Sequence, residues 1–275
     1  SHTYAENSSS LYDWLSKSQE MSPSSLRFSE TVVYNQNYVD INRIANATPL
    51  IKFYADILVE EGVPLDFCIL PLIESGNNPQ ARSPANALGL WQFIPSTGYE
   101  WGLISSARMD NRTDVQKSTI AAARYLKSLY NKYGDWNLAL ASYNWGSGSV
   151  DKAMKKGLIG ADHRIDLRLL PRETQQYLVS FYAFNQLIKK QAGQDPLKKY
   201  PNEPFLIKVK REHFADYLKA NPRLYEVNEW LLKHTNGFDV GANENLSKEL
   251  LVPSKIFPKY FYLNKISFKT SPLRQ

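Results

Sequence analysis

Cysteine is almost absent from this 275-residue chain, and that scarcity removes two architectures at once. Cys68 has no partner for an internal disulfide, and a cysteine-based zinc site is excluded. Set between Phe67 and Ile69-Leu70, it reads as a small buried hydrophobe rather than a reactive thiol. Histidine is equally thin. His2, His163, His213 and His234 are scattered without metal-ligand spacing, so neither a metal nor another cofactor is expected. No run of eighteen apolar residues exists, so no segment reads as a membrane-spanning helix. No basic stretch followed by an apolar one precedes the patterned part. An export signal is therefore expected to have been removed or never present.

Charge of one sign is also in short supply. The net charge is +6 with a pI of about 9.1, an excess that suits anionic surfaces such as phospholipid or acidic cell-wall polymer. It is spread out, with no basic helix and no nucleic-acid motif, so nucleic acid is not expected as a partner. Residues 251–275 hold Lys255, Lys259, Lys265, Lys269 and Arg274 with no acid, and read as a solvated basic tail.

What is present is helical punctuation. Residues 1–47 are polar, with one apolar piece at Val32-Val33-Tyr34, and read as an arm wrapping a core. Thr48-Pro49 opens a helix that Gly62 ends, and Pro64 opens a second that runs to Ser75 before Gly76-Asn77-Asn78-Pro79. Residues 80–97, rich in Ser, Ala, Gly and Pro, read as loop with short helical turns. A long helix is expected over 114–133, with Thr113 and Gln116 as a capping box and Val115, Ala122, Leu126, Leu129, Tyr130 and Tyr133 on one face. Asp135 caps a shorter helix that breaks at Asn144-Trp145-Gly146-Ser147-Gly148. Pro171 opens another with Tyr177, Leu178, Phe181, Phe184 and Ile188 as its stripe.

Residues 48–190 thus form an all-α domain, the fold class being mainly α with a small α+β module after it. Residues 191–204 are a breaker-rich linker. Beyond it come a strand at Phe205-Leu206-Ile207-Lys208-Val209-Lys210, helical stretches around 214–220 and 224–234, and a strand at Leu250-Leu251-Val252-Pro253.

Three short constellations carry chemistry. Glu74 follows Leu70 and Phe67 by four and seven residues, which puts a carboxyl on an apolar helical face without a Lys or Arg on that helix to pair it. Desolvation there raises its pKa, as a general acid requires. On position alone, a helix-terminal glutamate pointing to water is the better explanation. Gly89-Leu90-Trp91-Gln92-Phe93-Ile94-Pro95 joins glycine, large apolar groups and one amide, suiting either a core or a cleft wall in which Gln92 bonds a sugar or the acid. Ser142-Tyr143-Asn144-Trp145-Gly146 offers a phenol, an amide and an indole where a helix breaks, and also reads as a plain glycine-terminated helix.

Together with Glu74-Ser75, Pro79-Gln80-Ala81-Arg82-Ser83, Ala87 to Gly98 and Leu170 to Tyr177, these segments come in the order and spacing of the family 23 lytic transglycosylases, which residues 48–190 resemble. The resemblance implies a lysozyme-like fold and cleavage of the MurNAc–GlcNAc β-1,4 bond of peptidoglycan with formation of a 1,6-anhydro end. It implies Glu74 as the single acid/base, and Ser83, Gln92 and Ile94 as cleft residues. It also implies Tyr143 facing the carboxyl beside Asn144, and Glu173 and Tyr177 as a later element whose glutamate reaches the cleft. Residues 160–169 depart from the family in lacking an aromatic before that element. The partner implied is the glycan strand of a bacterial cell envelope or periplasm. The expected form is a monomer, with outer-membrane association through an N-terminal lipid anchor not seen in this chain. Residues 205–275 read as LysM-like, although the usual Gly-Asp-Thr-Leu opening is missing, or as a buttress. The alternatives are a hydrolytic muramidase on the same fold and a non-catalytic peptidoglycan-binding protein.

Overall fold

The computed structural model describes residues 26–27, 51, 54–55, 57–106, 110–190, 206–213, 216 and 249–253. Val32-Val33-Tyr34, the linker, the helical stretches expected around 214–220 and 224–234 (apart from residue 216) and the basic tail beyond Pro253 lie outside the described residues.

Pro71 decides how the chain enters its central segment. One continuous helix over 64–75 would press the proline ring against the carbonyl four residues back and leave that carbonyl without a donor. The structure corrects that expectation. A 3₁₀ turn, Leu65–Ile69, comes first, and helix α1, Leu70–Ser75, restarts with Pro71 in its first turn, where a missing N–H costs nothing. Gly76 then ends α1 in the left-handed region at φ 63°, and Asn77 follows at φ 63°. The Asn77 N–H reaches back to the Pro71 carbonyl at 2.8 Å. Four residues separate α1's last turn from its first, so Glu74 stands directly above Leu70.

Downstream, α2 spans Pro95–Glu100 and α3 spans Val115–Tyr133. The cap of α3 is Asp114, whose carboxylate accepts the Lys117 N–H at 2.8 Å, one residue later than the expected Thr113. Thr113 is occupied by a preceding 3₁₀ turn, Asn111–Thr113, where its hydroxyl donates to the Asp110 carbonyl. Asp135 caps α4, Trp136–Trp145, as expected. Gly146 at φ 86° turns the chain without ending helix, and α5, Ser147–Lys155, starts at once. That helix escapes a reading by apolar stripe because it buries only Val150 and Ala153. Helix α6 spans Arg172–Lys190.

The core lies where α1 and its 3₁₀ turn meet α6 and where α3, α4 and α6 converge. Phe67 packs on Phe181 at 5.4 Å and on Trp136 at 5.4 Å, joining three elements at one point. Each fully buried Leu or Phe there contributes on the order of 1.5–3 kcal/mol. Cys68 is fully buried and burial pushes its thiol up, so it is inert. Strand β1, Leu26–Arg27, pairs in parallel with β2, Ile165–Asp166. Strands β3, Leu206–Lys210, and β4, Glu249–Pro253, form an antiparallel ladder in register Leu206 to Pro253. Among the described residues no helix is long and apolar enough to cross a membrane.

Gly89 shows how tightly the loop before α2 is seated. At φ 87°, a Cβ there would lie 1.9 Å from the Arg112 carbonyl oxygen. Gly89→Ala is therefore expected to destabilise the fold by about 1–3 kcal/mol from backbone strain, with the overlap adding to it. Urea unfolding followed by circular dichroism measures this.

Candidate active site

Two helices far apart in sequence present one acid and one phenol to each other. Glu74 sits seven residues after Phe67, and Tyr177 sits one turn before Phe181. The Phe67–Phe181 contact therefore brings the two polar groups together. The Tyr177 hydroxyl donates to Glu74 Oε1 at 2.6 Å across 103 residues of chain. The Glu74 residue keeps part of its surface open to solvent, while its carboxyl lies deep among protein atoms. Desolvation accordingly dominates and lifts its pKa from 4.5 to about 7. The Tyr177 hydrogen bond pulls the other way, and the charge of Glu173 adds a smaller upward push. Burial holds Tyr177 and Tyr143 well above the usual phenol range, and the charge of Glu74 adds to it. Both phenols remain donors at neutral pH.

Tyr143 is close enough for the Glu74 charge to act on it, yet its hydroxyl donates to the Trp91 carbonyl at 2.8 Å. The phenol bonded to the acid is Tyr177, while Tyr143, which the resemblance has facing the carboxyl, lies within reach of its charge. Gln92 differs from the expectation that its amide serves a sugar or the acid. Its Nε2 donates to the carbonyls of Ala81 and Gly89 at 3.0 and 2.8 Å, which holds a left-handed backbone at φ 49° that a glutamine rarely adopts. Ser83 closes a turn, accepting the Ala87 N–H at its hydroxyl at 3.0 Å. Ile94 is 42 % exposed as the residue before α2, a large apolar group facing solvent. Asn144 is half-buried near the end of α4, and Glu173 is exposed in the first turn of α6. Glu74, Tyr143, Tyr177 and Glu173 thus gather around one carboxyl, and Ser83 and Gln92 shape the loop beside it.

Several supporting residues have roles that the sequence does not signal. Trp91 is fully buried and its indole N–H donates to Thr119 at 2.9 Å, which fixes the carbonyl that Tyr143 uses. The buried Tyr54 hydroxyl donates to the Asn77 side chain, just beyond α1. Arg112, 5 % exposed, pairs with Asp110 at 2.7 Å. An Asp-x-Arg spacing is the only trace it leaves in the sequence. No group of three or more His, Cys, Asp or Glu side chains suited to a metal occurs among the described residues.

An isolated acid on a breaking helix, faced by phenols from two other helices, invites comparison with known proteins. Residues 61–161 match the model of the transglycosylase SLT domain. That stretch, a little over a third of the chain, is what is similar to the SLT domain. The chain is 38% identical over 145 residues to "membrane-bound lytic murein transglycosylase D" of Escherichia coli, covering 52% of this chain and 32% of the relative. It is 34% identical over 111 residues to a "putative tributyltin chloride resistance protein" of an Alteromonas species, covering 40% of this chain and 54% of that one. A membrane-bound lytic murein transglycosylase F of Shewanella woodyi is 37% identical over 90 residues, which is 30% of this chain and 17% of the relative. Among solved structures, the 70 kDa soluble lytic transglycosylase Slt70 of Escherichia coli matches with a TM-score of 0.42 and 19% identity over 57% of this chain and 30% of that one. The chain spans about a third of the length of the first curated relatives it matches. The SLT match takes in Glu74, Ser83, Gln92, Ile94, Tyr143 and Asn144, while Glu173 and Tyr177 lie beyond its end.

The SLT-domain carboxyl makes two measurable statements. Because the Tyr177 hydroxyl favours the ionised form, Tyr177→Phe is expected to move the Glu74 pKa above about 7, as read by carbon NMR of the labelled side chain. In the folded state Glu74 keeps its proton up to about pH 7, whereas unfolded it loses the proton near 4.5. Raising the pH through that window therefore destabilises the wild type. Glu74→Gln is expected to melt higher than wild type at pH 8, the gap closing as pH falls below 4.5. Equal melting temperatures across that range would contradict the buried carboxyl.

Proposed function

We propose that the chain is a peptidoglycan lytic transglycosylase that cleaves the MurNAc–GlcNAc β-1,4 bond with Glu74 as its single acid/base. The observation that carries the proposal is a desolvated carboxyl raised to about 7, hydrogen-bonded by a protonated phenol and exposed on one side. A glycosidase that hydrolyses by the usual route needs a second carboxyl as nucleophile or water-activating base. Among the described residues the acid whose charge acts on Glu74 is Glu173, and it is exposed at the start of α6.

One carboxyl suffices if the sugar supplies its own nucleophile. Glu74 gives its proton to the glycosidic oxygen, the C1–O bond breaks, and N-acetylglucosamine leaves with a free 4-hydroxyl. The carboxylate then takes the proton of the muramyl 6-hydroxyl as O6 closes on C1, which restores the acid. Atoms balance without water, and the intramolecular attack gains an effective molarity on the order of 10⁵ M when aligned. Tyr177 orients the carboxyl and stabilises its ionised phase. Tyr143, Asn144, Gln92, Ser83 and Ile94 form the glycan-facing wall; burial keeps the acid protonated, and the charge of Glu173 adds a smaller push in the same direction.

Residues 48–190 are the catalytic unit in this reading. The substrate places the protein in a bacterial envelope or periplasm, and the basic balance suits its lactyl and peptide carboxylates. The relatives called membrane-bound support an anchored form. Residues 205–275 carry an antiparallel strand pair separated by 38 residues, which supports a LysM-like module or buttress.

Digestion of purified sacculi followed by mass spectrometry tests the reading. Muropeptides lighter by one water than hydrolytic products are expected; hydrated ends identify a muramidase, and no release identifies a binding protein. Glu74→Gln is expected to lower turnover by about 10²–10⁴-fold while leaving glycan binding intact. Because the acid must carry its proton, the wild-type rate is expected to fall as pH rises through about 7.

A further inference from the structure

The segment from Asn86 to Phe93 carries two of the groups around the acid: the Trp91 carbonyl that receives Tyr143, and Gln92. It is not helix, and its only internal ladder is one isolated bridge, Leu88 with Phe93, with a second joining Leu88 to Arg82 outside it. Something else must hold its shape. Arg112 lies under it, with a side chain 6 % exposed. Its Nη1 donates to the Asn86 carbonyl at 2.9 Å and to the Phe93 carbonyl at 3.1 Å, the two ends of the segment. Its Nε and Nη2 donate to the Asp110 carboxylate at 3.0 and 2.7 Å, and the Arg112 N–H joins the same carboxylate at 3.0 Å. Asp110 is held below the usual carboxylate range chiefly by these Arg112 bonds, against the cost of its burial. The stem of Arg112 packs on Gly98 of α2, where a Cβ would stand 3.1 Å from Cδ.

We propose that Arg112, oriented by Asp110, is a positioning residue of the catalytic cleft. One guanidinium fastens both ends of the Asn86–Phe93 segment, sets the Trp91 carbonyl, and through it holds the Tyr143 phenol beside Glu74, close enough for the carboxylate's charge to act on it. The inference rests on the function proposed above. A planar fork is needed because the two carbonyls and the carboxylate lie on different edges of the same group, a geometry that an ammonium cannot reproduce. Arg112 itself touches neither the substrate nor the reacting atoms.

Arg112→Lys, which keeps the charge and the stem, tests this against a purely structural role. Wild type and variant are compared on a soluble peptidoglycan oligosaccharide, with hydrogen exchange followed in the same samples. Expected is a fall in kcat of about ten- to a hundred-fold, as for other small misplacements of catalytic groups. KM should change little. Faster exchange should be confined to the amides of Leu88, Gly89 and Gln92, with helix α3 protected as in wild type. Wild-type kcat in a folded Arg112→Lys protein, or a loss matched by exchange across all helices, overturns the proposal. Should Arg112→Lys fail to fold, Asp110→Asn reads the same question, because it loosens the fork without removing it. Its kcat should fall with exchange confined to the same three amides, and unchanged kcat in that folded variant overturns the clamp. A wild-type protein that releases no anhydro product instead defeats the underlying functional reading and leaves the exchange pattern as an independent measure of the clamp.

Discussion

The hydrogen bond from Tyr177 to Glu74 stands at the point where the fold and the chemistry constrain each other. Burial raises the carboxyl, and the phenol keeps that rise from becoming so large that the ionised form is inaccessible. The acid/base role proposed for Glu74, which gives and takes a proton in one cycle, needs both tendencies. Neither alone produces a group balanced near neutrality. The bond also sets a mechanical demand: α1 and α6 must approach to within a hydrogen bond although 103 residues separate the partners. Phe67 on Phe181 is the contact that meets it, so core packing and proton affinity are coupled through one aromatic pair.

The second demand falls on a segment without regular structure. Between Asn86 and Phe93 the backbone passes through left-handed conformations at Gly89 and Gln92 and approaches the Arg112 carbonyl so closely that only glycine fits. Strain of this kind persists only where the surroundings determine it. Here the Gln92 amide, the Trp91 indole and the Arg112 guanidinium each fasten the segment to a different neighbour. Gln92 is therefore occupied with loop geometry as much as with any ligand, which is why its motif reads equally well as core or as cleft.

Much of the helical frame was legible because its signals are local. Asp135, Gly76, Gly134 and the apolar face of α3 act within one or two turns, and the structure places helix ends where they point. Local signals failed where two of them competed. Pro64 and Pro71 each open a helix, and the resolution was a 3₁₀ turn followed by a restart. Thr113 reads as the cap of α3, but the preceding turn claimed the threonine and Asp114 took its place. Helix α5 buries too little to show a stripe.

By itself the sequence determined which residues are candidates for chemistry. A carboxyl on an apolar helical face is set by spacing, and the order of five motifs in register restricts the family. Only the tertiary structure decided which partner each of them takes. Tyr143 and Tyr177 are equivalent phenols on paper. One reaches the carboxyl and the other a backbone carbonyl. Arg112 was invisible for the same reason. A side chain that acts by bonding carbonyls 19 and 26 residues away has no local pattern, and its role exists only once the chain has closed around it.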